Sequence, residues 1–163
     1  MKPLAMVASA GLFSGCALMI AFLAPAGYLD ARAAETLDVN HANAIVMDGD
    51  TIRVQGVKPS IRLMGYTSPA TKAVCPNERA LGAKAKARLY DMIETGPATL
   101  QLVPCACPPK TEGTGLCNYG RACGILTVKG VDVAKTLVGE QLAVATLCGA
   151  TSCPAVATPW CKK

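Results

Sequence analysis

A chain of 163 residues with a mildly basic balance, +5 at neutral pH, is long enough for one domain with a single core and needs no second. Two Phe and one Trp count against a strand surface that stacks single-stranded bases on several aromatic rings. The positive charge suits an anionic partner without selecting one.

Pro3 to Leu29 carry no charged residue, Lys2 supplies a positive n-region, and Ala31-Arg32-Ala33 has the small-residue form read by signal peptidase. Residues 1–33 therefore read as an export signal, which places the chain in the periplasm or outside the cell. The same apolar run is long enough to span a bilayer, so an uncleaved N-terminal anchor in the inner membrane is the alternative. A lipid-modified Cys16 is a third reading, disfavoured by the apolar residues that continue beyond it. Cleavage near Ala33 removes only Cys16 of the nine cysteines and leaves Cys75, Cys105, Cys107, Cys117, Cys123, Cys148, Cys153 and Cys161. An even set in an exported chain reads as disulfides. Zinc is the rival reading, but no C-x-x-C occurs, Cys105 and Cys107 are too close for the usual pairing, and His41 is the sole histidine. The missing C-x-x-C also counts against a thioredoxin-like redox role.

Residues 34–43 are polar and unpatterned and read as a lead-in. Ala44-Ile45-Val46-Met47 then forms an apolar run that stops at the turn pair Asp48-Gly49, and Thr51-Ile52-Arg53-Val54 alternates, which is a β-hairpin signal. Lys58-Pro59 marks the next turn and Ser60 to Met64 a third strand; such a meander suggests a small barrel. From Glu78 to Glu94, Ala80, Leu81, Ala85, Leu89, Met92 and Ile93 recur at helical spacing, and Gly96-Pro97 ends the helix. Residues 98–103 read as a strand, 104–118 as a cysteine-stapled loop, 122–128 as a strand closed by the Lys129-Gly130 turn, and 133–142 as a second helix. Beyond Cys148 the tail is a loop tied down by cysteines.

Asp48-Gly49-Asp50-Thr51 and Arg62-Leu63-Met64-Gly65-Tyr66-Thr67-Ser68-Pro69-Ala70 together resemble the two halves of the active-site signature of staphylococcal nuclease-like (thermonuclease) domains. In active members the second half reads R-[apolar]-x-x-x-D-[TAS]-P-E. Asn118-Tyr119-Gly120-Arg121 is similar to the family's [DK]-[KR]-Y-G-R, and Val133 with Leu137-Val138 and Leu142-Ala143 to its last helix, where Gln141 replaces the usual glycine. Cys75-Pro76 through Gly82 and the terminal Pro159-Trp160-Cys161 look like exported bacterial relatives. The resemblance spans residues 44–145 and implies a fold that is α+β and mainly β: a disulfide-stapled five-stranded OB barrel with two or three helices, followed by a tethered tail, 146–163. It also implies a Cys75–Cys161 bridge. Short loop closure adds pairing within Cys105, Cys107, Cys117 and Cys123, and Cys148 with Cys153.

The family's chemistry is hydrolysis of DNA and RNA phosphodiesters, with calcium held by two carboxylates and a backbone carbonyl, a glutamate base, and two arginines on the phosphate. By motif position Asp50 matches the first metal carboxylate, Ser68 the residue lending its carbonyl, and Arg62 and Arg121 the phosphate arginines, whose planar forks suit phosphate oxygens. Tyr119 accompanies Arg121 on the nucleic-acid side. Thr67 stands where the second metal carboxylate belongs and Ala70 where the base belongs. Calcium binding is thus expected to be weak or absent, and loss of a base alone costs about 10²- to 10⁴-fold. Asp48 and Glu78 are the carboxylates that could in principle substitute, although Asp48 sits in the turn beside Asp50 and Glu78 lies eight residues beyond Ala70. Without the motif, Asp50 reads as a turn carboxylate, and Arg62 and Arg121 as solvent-facing or ion-paired strand residues. The expectation is an impaired nuclease-like domain, monomeric, with a nucleic acid or other phosphate ester as ligand; a noncatalytic binding module and a structural envelope protein are the alternatives.

Overall fold

In the computed structural model, residues 35–156 and 159–161 are described; the expected leader, 1–33, and the Cys16 reading lie outside them. The polar lead-in contains a strand, β1 (Thr36–Val39), which pairs antiparallel far along the chain with β6 (Ala98–Val103). Its alternation lasts only four residues, with Val39 buried and Leu37 partly so, too short to stand out without its partner. The expected hairpin is β2 (Ala44–Asp48) and β3 (Thr51–Val54), whose register shifts between Val46 and Asp48 as the chain turns. β4 (Ile61–Leu63) adds antiparallel to β3, and β7 (Ala122–Val128) lies parallel to β4 and antiparallel to β6.

The result is a curled, mixed half-barrel sheet in the order β1, β6, β7, β4, β3, β2, with the short β8 (Val131–Asp132) on β7. Its two end strands are consecutive in the chain and joined by the turn at Asn40–Asn43, where Ala44 N donates to the Asn40 carbonyl at 2.9 Å. A second, two-stranded sheet pairs β5 (Tyr66–Thr67) with β9 (Val144–Ala145), neither of which has a local signal of its own. Inside the curl, Ile52, Ile61, Leu63, Leu100 and Leu126 meet Leu89 and Leu137 from the helices in one core.

The first helix, α1 (Pro76–Glu94), starts earlier than its periodicity predicts, because Pro76 fits the first turn. Its buried stripe is Gly82, Ala85, Leu89, Met92 and Ile93; Ala80, expected inside, is exposed on the first turns. Gly82 is there because a Cβ would stand 2.7 Å from the Ala70 carbonyl carbon, so only glycine lets the helix press on the backbone beyond Pro69. The second helix, α2 (Val133–Gly139), is shorter than expected. Asp132 caps it by accepting from Ala134 N at 2.8 Å, and Gln141 takes the left-handed conformation, φ 59°, that a glycine would favour. Gln141 N to Val138 O and Leu142 N to Leu137 O complete the cap, so the motif survives the replacement at the cost of side-chain strain.

Four disulfides join Cys75–Cys161, Cys105–Cys123, Cys107–Cys117 and Cys148–Cys153; the first and last are the pairs expected, the middle two resolve the partners left open within the expected cluster, and all eight described cysteines are consumed. Cys75, Glu78 and Cys161 cluster, but two of the three are joined as a disulfide and offer no thiolate to zinc. The 86-residue Cys75–Cys161 span is worth about 4.6 kcal/mol by loop-closure entropy, and it docks the buried Trp160 on the start of α1, where Asn77 Nδ2 donates to the Trp160 carbonyl. Such a density of bridges points to an oxidising, extracytoplasmic setting. Among the described residues no helix is long and apolar enough to cross a membrane.

Candidate functional site

The two arginines meet because β4 and β7 are parallel. Arg62 sits at the centre of β4 opposite Thr51, and Arg121 directly precedes β7, where Ala122 N donates to the Ser60 carbonyl at 2.9 Å. Asp50, in the β2–β3 turn, is 4% exposed and lies between them. Its Oδ2 is ion-paired with Arg62 Nη1 and accepts from Ser68 N at 2.9 Å; its Oδ1 accepts from Thr51 Oγ1 at 3.0 Å. Arg121 Nη1 donates to the same Thr51 hydroxyl at 3.2 Å, so one chain of hydrogen bonds runs Arg121, Thr51, Asp50, Arg62. Arg62 Nη2 continues it to the Tyr66 carbonyl and the Thr67 hydroxyl, each at 3.1 Å, and Thr67 Oγ1 meets Thr146 Oγ1 at 2.9 Å.

Arg121 is aimed by its own turn. Asn118 and Tyr119 have φ of 49° and 59°, and this left-handed turn lets Asn118 receive Arg121 Nε on its carbonyl at 3.0 Å and Nη2 on its side chain at 2.8 Å. Tyr119 is 85% exposed, its ring 5.5 Å from the guanidinium carbon. Burial, then the nearby Arg62 charge, lowers the Arg121 pKa, with Asp50 pulling the other way. The guanidinium stays charged throughout the physiological range. Beneath the turn, Tyr66 Oη donates to the Gly49 carbonyl at 2.9 Å, and burial holds this phenol well above its ordinary range.

Of the residues read from sequence, Asp50, Arg62, Thr67, Ser68, Arg121 and Tyr119 come together at this end of the sheet. Thr67 and Ser68 lie where the β5 turn brings them: Ser68 gives its N–H to Asp50, and its Oγ is buried with no hydrogen-bond partner. Glu78 is nearer to Ala70 than sequence spacing implies, for Ala70 N donates to its Oε1 at 3.3 Å. The set does not fit calcium. A cation that takes six to eight oxygens would find one carboxylate, already neutralised by Arg62, and a Thr67 hydroxyl already used by Arg62 and Thr146.

Sequence reasoning missed Thr51, Asn118 and Thr146. Thr51 and Asn118 stand in the motifs themselves, whereas Thr146 is 79 residues from its partner and gives no local sign. A cavity of about 530 Å³ is lined by both arginines, Thr67 and Thr146. No protein-family model matches the chain, and no curated protein matches it either.

Proposed function

We propose that this chain is an exported member of the staphylococcal nuclease-like family that grips nucleic acid or another phosphate ester through Arg62 and Arg121 and has lost most of its hydrolytic chemistry. The fold supports this: if β1 and β2 count as one strand broken at Asn40–Asn43, the sheet order closes into a five-stranded OB barrel with one parallel contact, β4 to β7. The observation that carries the reading is the hydrogen-bond chain from Arg121 through Thr51 and Asp50 to Arg62, which holds two guanidinium groups at one cavity. Thr67 and Ala70 supply neither a second carboxylate nor a base, so binding outlives cleavage.

Fluorescence anisotropy with labelled DNA and RNA oligomers across a salt series tests the grip. Affinity should fall with salt, and Arg121→Gln should lower the slope by roughly 0.7 to 0.9, the loss of one phosphate contact. Binding unchanged in an Arg62→Gln, Arg121→Gln double variant contradicts it.

A second reading, residual hydrolysis, is favoured by Glu78 alone, whose carboxylate reaches the backbone of Ala70. Any cleavage by the wild type should then vanish in Glu78→Gln; cleavage that persists there removes Glu78 as the base.

A further inference from the structure

The Cys75–Cys161 bridge differs from the other described bridges in what surrounds its two sulfurs. Cys161 is at the surface, and a groove lined by Cys75, Pro76, Asn77, Trp160 and Cys161 opens beside the bond. Cys105, Cys117 and Cys123 are buried, so each bridge of the central cluster has at least one closed end. Cys148–Cys153 also has a surface end, Cys153, but neither of its cysteines begins a helix. Cys75 does: it is the N-cap of α1, a helix of 19 residues. A serine or aspartate at that place would accept from the first-turn N–H groups, whereas the bridged sulfur makes no such hydrogen bond.

The two sulfurs are therefore unequal. A thiolate on Cys75 would meet the first-turn N–H groups and the positive end of α1, a setting that stabilises thiolates. A thiolate on Cys161 would stand 3.1 Å from Glu78 Oε2. That carboxylate is fixed in place by its other oxygen, which accepts from Ala70 N. Negative charge so close disfavours a second one on Cys161 and keeps it a thiol, placed to donate to Glu78. Exchange runs faster when the sulfur that leaves is the better thiolate, so attack falls on Cys161 and Cys75 leaves. Access agrees, because Cys161 is the surface end of the bond.

We propose that Cys75–Cys161 is an exchangeable disulfide, a site that reacts with a dithiol, either free or carried by a redox protein. One thiolate of the dithiol attacks Cys161 Sγ; a mixed disulfide forms there, and the bond to Cys75 breaks with its electron pair on Cys75 Sγ. The second thiol of the dithiol, as thiolate, attacks its own sulfur in the mixed disulfide. Cys161 leaves, takes a proton from water and becomes the thiol beside Glu78. Two electrons pass to the chain, and the dithiol ends as its own disulfide. Opening removes the covalent hold on Trp160, which is buried on the start of α1. The exchange does not draw on Arg62 or Arg121.

The folded full chain, treated with dithiothreitol, reduced thioredoxin or glutathione, quenched in acid and mapped by peptide mass spectrometry, tests this. Cys75–Cys161 should open at least about tenfold faster than any other bridge, Cys148–Cys153 included. A protein dithiol as the natural source would show as thioredoxin outpacing dithiothreitol at equal thiolate concentration, a small dithiol as the reverse. With glutathione, which has one thiol, the first adduct should sit on Cys161 with Cys75 free. The chain has one tryptophan, so its emission should move to longer wavelength in step with the loss of this bridge. In the reduced chain, alkylation across a pH series should find Cys75 reacting at lower pH than Cys161, and Glu78→Gln should bring the two together. A first glutathione adduct on Cys75, or a Cys161 thiol that ionises before Cys75, overturns the assigned direction of attack. Bridges that open together, and only as the fold is lost, overturn the exchange itself and leave Cys75–Cys161 a staple like the rest.

Discussion

Arg62 is ion-paired with the buried Asp50 and, through the same guanidinium, donates to the Thr67 hydroxyl at 3.1 Å. The residue matched to a phosphate grip therefore also neutralises the one carboxylate of the site. Its two duties can be separated by mutation.

Removing the arginine alone should be costly. Arg62→Ala leaves Asp50, 4% exposed, as an unpaired buried charge, a change worth roughly 3–5 kcal/mol. In an Asp50→Asn background the same substitution should cost clearly less, since no charge is stranded. Urea unfolding of the four proteins measures this, and an equal cost in both backgrounds would show that the pair does not stabilise the fold.

Gly82→Ala has a sign that decides between two effects. On an exposed helix the change gains about 1 kcal/mol from propensity. Here the new Cβ would lie 2.7 to 2.8 Å from backbone atoms of Pro69, Ala70 and Thr71, which cannot yield as a flexible side chain does. Overpacking of this kind costs about 1–3 kcal/mol, so the variant should melt lower. A higher melting temperature would mean that α1 does not press on this segment.

Asp48 should show its burial as a pH effect. Desolvation raises its carboxyl above 3.8, the Gly49 N–H opposes this, and the Asp50 charge adds to the rise. The folded state then holds the proton more tightly than the unfolded one, so stability is lost as pH rises from 3.8 through the raised value. Asp48→Asn should raise the melting temperature at neutral pH, with the gain fading as pH falls towards 3.8. A gain of the same size at low pH would point to packing rather than charge.

What was legible in the sequence was local. The β2–β3 hairpin and the buried face of α1 follow from periodicities within a few residues, and Asp50, Arg62 and Arg121 from short motifs. Cys148–Cys153 and the confinement of Cys105, Cys107, Cys117 and Cys123 to one cluster were legible from short loop closure, and the tail cysteine from family likeness, but the partners within the cluster depend on how the loop folds back on β7. β1, β5 and β9 are two to four residues long and exist only through partners far away in the chain. For the same reason Thr146 was invisible, and Glu78 looked too distant from Ala70 until helix α1 folded it back. Gln141 shows the reverse case: the sequence lacked the expected glycine, yet the hydrogen bonds of the helix end hold a glutamine in its place.

The central claim is that the grip remains while the chemistry is impaired, and calcium-dependent cleavage of DNA measures it most directly. Wild type should cleave at least about 10³-fold more slowly than a protein with the full motif, since a metal carboxylate and a base are both missing. Thr67→Asp with Ala70→Glu should restore some cleavage with added calcium, while either change alone restores little, because the groups act as a unit. Near-normal wild-type cleavage that survives Asp50→Ala would contradict the account and place the catalytic residues elsewhere.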